Sequence, residues 1–216
     1  MNIRCYIESC RARDAVRNRT IAELSATDWN DSPIVELDDP NLELPLERQL
    51  MLVLRILRRA VSEQAELILL LEDDLNFNKN LRYNIESWHP LEQFDRGQHF
   101  FGSLFNPGVT FHKVFPALAY GEASPQSVLG SQALLLSHAT AQYMVTCWGV
   151  EAAAHADVKL RSLAARVCPL FYHVPSLVQH VGHRSTWGGP FRSATDFDGD
   201  WRSKTAGQRT NLSSLS

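Results

Sequence analysis

Two rhythms of apolar and polar positions divide this chain. Residues 3–7 (IRCYI) are β-branched and aromatic and predict a first strand, and Arg11 to Leu24, with Ala15, Val16, Ala22 and Leu24 among charged positions, predicts a helix. Ser32-Pro33 breaks the chain before a short second strand at 33–37, which Asp38-Asp39-Pro40 ends. The clearest helix is 45–64. Pro45 sits in its first turn, where a missing N–H costs nothing, and Leu46, Leu50, Val53, Leu54, Leu57 and Val61 mark one buried face. Arg48, Arg55, Arg58 and Arg59 fall mostly off that stripe and read as a solvated face. The run ELILLLEDDL, 66–75, is continuously apolar and then abruptly acidic, as in a central strand covered on both sides.

Strand, helix, strand, helix, strand is the order of an α/β fold with a mostly parallel sheet and right-handed crossovers. The second half is less regular. Strands are expected at 99–105, 109–115, 127–137 and 168–174, and helices at 139–148 and 155–166, with Asn106-Pro107-Gly108 and Gly121 as punctuation. Residues 203–216 have almost no apolar content and read as a flexible tail. The expected layout is one domain over 1–202 followed by that tail.

Composition narrows the function more than the fold. Of 216 residues, 44% are apolar and 21% charged, and a formal charge of −3 gives no electrostatic footprint for nucleic acid, which disfavours that partner. No stretch approaches the roughly 20 apolar residues of a membrane helix. The N-terminus lacks the apolar middle of a signal peptide. Cys5, Cys10, Cys147 and Cys168 are scattered, as buried free thiols of a reducing compartment would be, and the expected location is cytoplasmic.

The acidic cluster is the main chemical signal. Glu72, Asp73 and Asp74 are consecutive carboxylates at the carboxyl end of a buried strand, where ligands of open α/β sheets bind. They repel one another, and a hard divalent cation relieves that repulsion while gripping phosphate oxygens. The plainer alternative is a strand-ending turn whose acids cap the next helix.

LLLEDDL resembles the aspartate-containing metal motif of GT-A glycosyltransferases, which use nucleotide-sugar donors. PSLVQHVGHRST (175–186) is similar to the PSL-QH-G-S segment of N-acetylglucosaminyltransferases of the complex-N-glycan branching type. Galactosyltransferase-like families acting on lipopolysaccharide and collagen share a shorter version. GSQALLLS (130–137) resembles the acceptor-side strand of these enzymes. The resemblance implies a single Rossmann-like GT-A domain with a smaller acceptor-side sheet. It also implies Mn²⁺ or Mg²⁺ as cofactor, a nucleotide-sugar donor (UDP-linked in most relatives), and a glycan, lipid-linked or protein acceptor.

Carried over by position, Asp74 would ligate the metal. Glu72 or Asp73 would help through the ribose or a metal-bound water, and His180 would complete the metal–diphosphate site. Glu-Asp-Asp replaces the family's Asp-X-Asp, so the division of roles among the acids stays open. His183, Arg184, Ser185 and Thr186 are candidate phosphate contacts. Asp157, opening a helix after the acceptor-side strand, matches the general base of an inverting transferase, with Glu151 as runner-up; an ordinary helix-start acid looks the same. For the donor's base, ribose and diphosphate the resemblance points to Glu8, Ser9, Arg11 and Arg13 after the first strand and to Asp38 or Asp39 after the second. Arg11 and Arg13 are equally readable as first-turn surface charges. Trp187, Phe191 and Trp201 are either stacking faces or buried anchors, and loops beyond 187 would close over the donor. Two competing readings remain: a metal phosphohydrolase or nucleotidyltransferase, which the absence of glycine from Cys5 to Arg13 disfavours, and a catalytically inactive GT-A-like binding or scaffold protein.

Overall fold

The computed structural model describes residues 1–204 apart from 93, 96, 126, 128, 129, 183–186 and 188–190. Strand β1 is Ile3–Ser9. A 3-10 turn at Arg11–Arg13 leads into α1, Asp14–Ser25, so the expected helix starts one turn late. Strand β2 is Ile34–Leu37, and α2 is Pro45–Ser62, starting on its proline as expected. Strand β3, Leu67–Leu71, is buried throughout. The chain breaks at Glu72 to Asp74, the acidic end that the sequence gives this strand, and resumes as β4, Leu75–Phe77, which the sequence did not single out.

Two short helices, α3 (Leu81–Glu86) and α4 (His89–Glu92), precede β5 (Phe101–Ser103), β6 (Phe111–Phe115), β7 (Tyr120–Ala123) and β8 (Ala133–Ser137). Helices α5 (His138–Cys147) and α6 (Ala156–Ala164) follow, then β9 (Leu170–His173) and β10 (Val178–His180).

The main sheet has eight strands in the order β2-β1-β3-β8-β5-β9-β7-β6. The parallel pairing expected of the first half is present in β2-β1-β3. From there outward the pairing is mixed: β8 runs antiparallel to both β3 and β5, β5 and β9 are parallel, and β7 opposes both β9 and β6. Both faces are covered. Leu67, Leu69 and Leu71 belong to the apolar cluster that holds Trp29, Leu81 and Trp88, while Ile68 and Leu70 pack with Leu52, Val53, Ile56 and Leu57 of α2 and Leu160 of α6. This period-two split is why β3 reads as an unbroken apolar run, and each fully buried leucine stabilises the fold by about 1.5–3 kcal/mol.

Strands β4 and β10 form a separate two-stranded antiparallel sheet, with His180 opposite Leu75. Among the described residues no helix is long and apolar enough to cross a membrane. The tail expected at 203–216 lies outside the described residues from 205 onward.

Candidate metal centre

The break after β3 is built by its neighbours. Glu72 N still donates to Gln132 O at 2.9 Å, extending the β3–β8 ladder by one bond. The chain then turns, and fully buried Thr20 of α1 holds the turn: its hydroxyl donates to Asp73 O at 2.7 Å and accepts from Leu75 N at 3.1 Å. Val181 N donates to Asp74 O at 2.9 Å. This bond and the β4–β10 register bring His180 of the PSLVQH segment against Asp74, more than a hundred residues away in sequence.

Glu72, Asp74 and His180 each offer a ligand atom, and the three atoms lie within 4.8 Å of one another. His180 Nε2 is 3.2 Å from Asp74 Oδ1, an ion-pair distance. That oxygen is buried and makes no aligned hydrogen bond. The other Asp74 oxygen is 2.6 Å from Arg13 Nη2, which also lies 3.1 Å from Asp73 Oδ1. Ser9 Oγ donates to Asp73 Oδ2 at 2.5 Å. Ser131 Oγ donates to Glu72 Oε1 at 2.9 Å. Glu8, at the end of β1, is 2% exposed. Its Oε1 accepts from Gln49 Nε2 at 3.4 Å, and its Oε2 has no partner among the described residues.

Gly182 is fixed here by space. A Cβ at that position would overlap Asp74 Oδ2 and stand 3.1 Å from His180 Nε2. The glycine of the QH-G segment therefore lets the chain pass directly over the carboxylate.

Charge in this cluster is unbalanced. Burial, with repulsion from Asp74, pushes Glu72 up to about 7. Burial, with repulsion from Glu72, pushes Glu8 well above the carboxylate range. Asp73 is raised by burial despite its contacts to Ser9 and Arg13. Burial would raise Asp74 as well, but the contacts to His180 and Arg13 outweigh it and hold Asp74 below its usual value. The same contact, reinforced by Glu72, raises His180 against the effect of its own burial. Among the described residues, Glu8, Glu72, Asp73 and Asp74 crowd together with Arg13 and His180 in direct contact, and Arg17 acts on Asp73 from beside Ser9, whose Oγ it meets at 3.2 Å. An acid-rich cluster in which a buried Asp74 oxygen and a histidine nitrogen face each other, with Glu72 beside them, suits a divalent cation.

Around this cluster lies a cleft of about 240 Å³. Glu8, Ser9, Arg13, Glu72, Asp73, Asp74, Asp157 and His180 all line it, as expected for a common site. Asp157 lies in the first turn of α6, with Oδ2 accepting from Gly130 N at 3.3 Å and Oδ1 from Val158 N at 2.8 Å. Trp187 lines the cleft too, and Phe191, largely exposed, is tilted over His180 at 4.7 Å between ring centroids.

Other expected residues lie elsewhere. Asp38 is buried but accepts from Arg11 N at 3.1 Å, and the Arg11 side chain is exposed; neither lines the cleft. Their positions follow from the 3-10 turn, which presents Arg11's backbone to Asp38 and leaves Arg13 to enter the site. Asp39 is taken up locally by Asn41. Glu151 pairs with Arg166 at 2.5 Å, outside the cleft. Trp201 packs edge-on against His173 at 5.1 Å as a core anchor. His183, Arg184, Ser185 and Thr186 lie outside the described residues. Sequence reading missed Gln49, and it gave no role to Ser131 or Gly182 although both lie in the segments that carry the resemblance. Gln49 had a signal, a polar residue on the buried stripe of α2 three residues after Leu46, and Ser131 had only its place at the start of the GSQALLLS segment.

No family model matches the chain, and no curated protein matches it. Among solved structures it is similar to the crystal structure of A197 from STIV, at 12% identity and a TM-score of 0.57, over 95% of this chain and 100% of that one. At this identity the likeness is one of fold alone.

Proposed function

We propose that this protein is a metal-dependent glycosyltransferase of the GT-A type, moving a sugar from a UDP-sugar to an acceptor hydroxyl with inversion. The observation that carries the reading is the convergence of Glu72, Asp74 and His180, from two segments distant in sequence, at the carboxyl end of β3 in a cleft that Asp157 also lines. Glu72, Asp74 and His180 would hold the cation. The mixed carboxylate–imidazole set favours Mn²⁺ over Mg²⁺. Bound there, the metal would neutralise charge developing on the departing diphosphate.

The chain's own groups supply the rest. Arg13, fixed by Asp73 and Asp74 at the cleft wall, presents a guanidinium suited to phosphate oxygens. Asp157 has both oxygens oriented by backbone N–H groups, which aims its remaining lone pairs for an acceptor hydroxyl whose proton it takes. Trp187 lines the cleft and Phe191 packs on the His180 ring beside it, where with donor bound they would limit access of water.

The test is release of UDP from a panel of UDP-sugars with Mn²⁺ present. One or more donors should turn over, and Asp157→Asn should suppress turnover at least 100-fold while leaving UDP affinity within about threefold. Binding without turnover of any donor, with a range of acceptors supplied, would favour the inactive binding protein.

A further inference from the structure

The two ring nitrogens of His180 face different surroundings. Nε2 turns toward Asp74, while Nδ1 lies 2.9 Å from the carbonyl of Arg192. A carbonyl only accepts, so Nδ1 carries the hydrogen and Nε2 is the nitrogen offered to the cleft. The position of that carbonyl depends on the chain that follows it.

Gln179, next to the histidine, bonds twice to one strap residue: its Oε1 accepts from Ala194 N at 2.8 Å and its Nε2 donates to Ala194 O at 3.2 Å. Thr195 N donates to Asn106 O at 3.1 Å. Asp196 Oδ1 accepts from Ser176 N at 3.2 Å and from Ser176 Oγ at 2.5 Å. Further along, Asn78 Nδ2 donates to the carbonyls of Asp198 and Trp201 at 2.7 and 2.8 Å. A segment rich in small polar residues is thus tied to the body at successive points. Its described part, from Phe191, is fastened to the body by these bonds.

We propose that residues 192–196 are a positioning strap for the metal-ligating histidine. Gln179 pins the strap at Ala194, Ser176 pins it at Asp196, and the Arg192 carbonyl between strap and ring fixes the orientation of the imidazole and which nitrogen it presents. Gln179 does not line the cleft and acts only through the strap. The proposal rests on reading Glu72, Asp74 and His180 as a metal site and is independent of sugar transfer.

The test is titration of Mn²⁺ and of Co²⁺ into the full chain and its Gln179→Met variant, which keeps side-chain length and loses both bonds to Ala194. Affinity for both ions should fall roughly tenfold or more. The visible bands of bound Co²⁺ at saturation should also shift, because the ring sits differently on the metal. Ser176→Ala, which loosens the far end of the strap by removing the hydroxyl bond to Asp196 while the Ser176 N–H bond to it stays, and which also takes the acceptor from Asn106 N, should move both readouts the same way by less. Unchanged affinity in Gln179→Met, or weaker affinity with unchanged Co²⁺ bands, would overturn the strap while leaving the metal site intact. If the unaltered chain binds neither ion, the metal reading fails and the strap falls with it.

Discussion

Two clusters of charge in this molecule use the same residue types to opposite ends. On the surface of α2 and β2, Glu36 pairs with Arg55 at 3.0 Å and Arg59 at 2.7 Å, and Arg59 also holds Glu63 at 2.7 Å. The arginines there are nearly half exposed, and each charge has an opposite neighbour: Arg59 is raised and Glu63 lowered by their mutual contact. At the end of β3, Glu8, Glu72, Asp73 and Asp74 meet Arg13 and His180, with Arg17 beside Asp73, in a largely buried space, where Glu8 and Glu72 are pushed far above the carboxylate range and Asp73 is raised. A balanced, solvated network adds little and calls for nothing else. A buried excess of negative charge is costly unless something completes it. That difference separates an ordinary ion-pair surface from a site.

The sharpest way to break the comparison is to disturb the cleft without changing its charge. Gly182→Ala would force a Cβ against Asp74 and His180. Mn²⁺ affinity should fall on the order of 100-fold, measured by calorimetry. Next in size, Glu72→Gln removes one carboxylate from the cluster, and Mn²⁺ affinity should fall roughly 10- to 100-fold.

The same change should stabilise the metal-free protein. A carboxyl raised in the folded state costs stability once pH exceeds its unfolded value, and the cost grows until pH passes the folded value. For Glu72 that window runs from about 4.5 to about 7, so metal-free stability should decline as pH rises through it. Because Glu72 is only half-buried, the gain in Glu72→Gln at pH 8 should be about 1 kcal/mol, read from denaturant midpoints, and should vanish near pH 4. The smallest effect belongs to the surface network. Arg59→Ala should cost about 1 kcal/mol or less, more at low salt than at high, and leave Mn²⁺ affinity unchanged.

Legibility in the sequence followed the strength of local pattern. The 3–4 stripe gave α2 nearly to the residue, and the apolar run gave β3, because both are set by burial on known periods. Strand β7 was missed because Gly121 reads as punctuation. It is a strand because β6 and β9 pair with it on either side, and its glycine leaves room for the Phe111 ring, 2.7 Å from where a Cβ would stand. Strands β4 and β10 are three residues each and exist through one another, which no local pattern records.

The site divides in the same way. The acids announced themselves as a charged end to an apolar strand. His180 was reached through resemblance of its segment, and its contact with Asp74 comes from the β4–β10 register. Arg13 was one of two equivalent arginines until the 3-10 turn sent one inward and left the other in solvent. The Arg192 carbonyl was invisible, since any residue supplies a carbonyl.

The central claim is that the acids at the end of β3, with His180, hold a divalent cation that in turn holds a nucleoside diphosphate. Calorimetric titration of UDP with and without Mn²⁺, into the unaltered chain and Asp74→Ala, tests it most directly. The account predicts UDP binding that appears only with Mn²⁺ and disappears in Asp74→Ala. UDP binding that ignores both the metal and Asp74, or no UDP binding with Mn²⁺ at saturation, would contradict it.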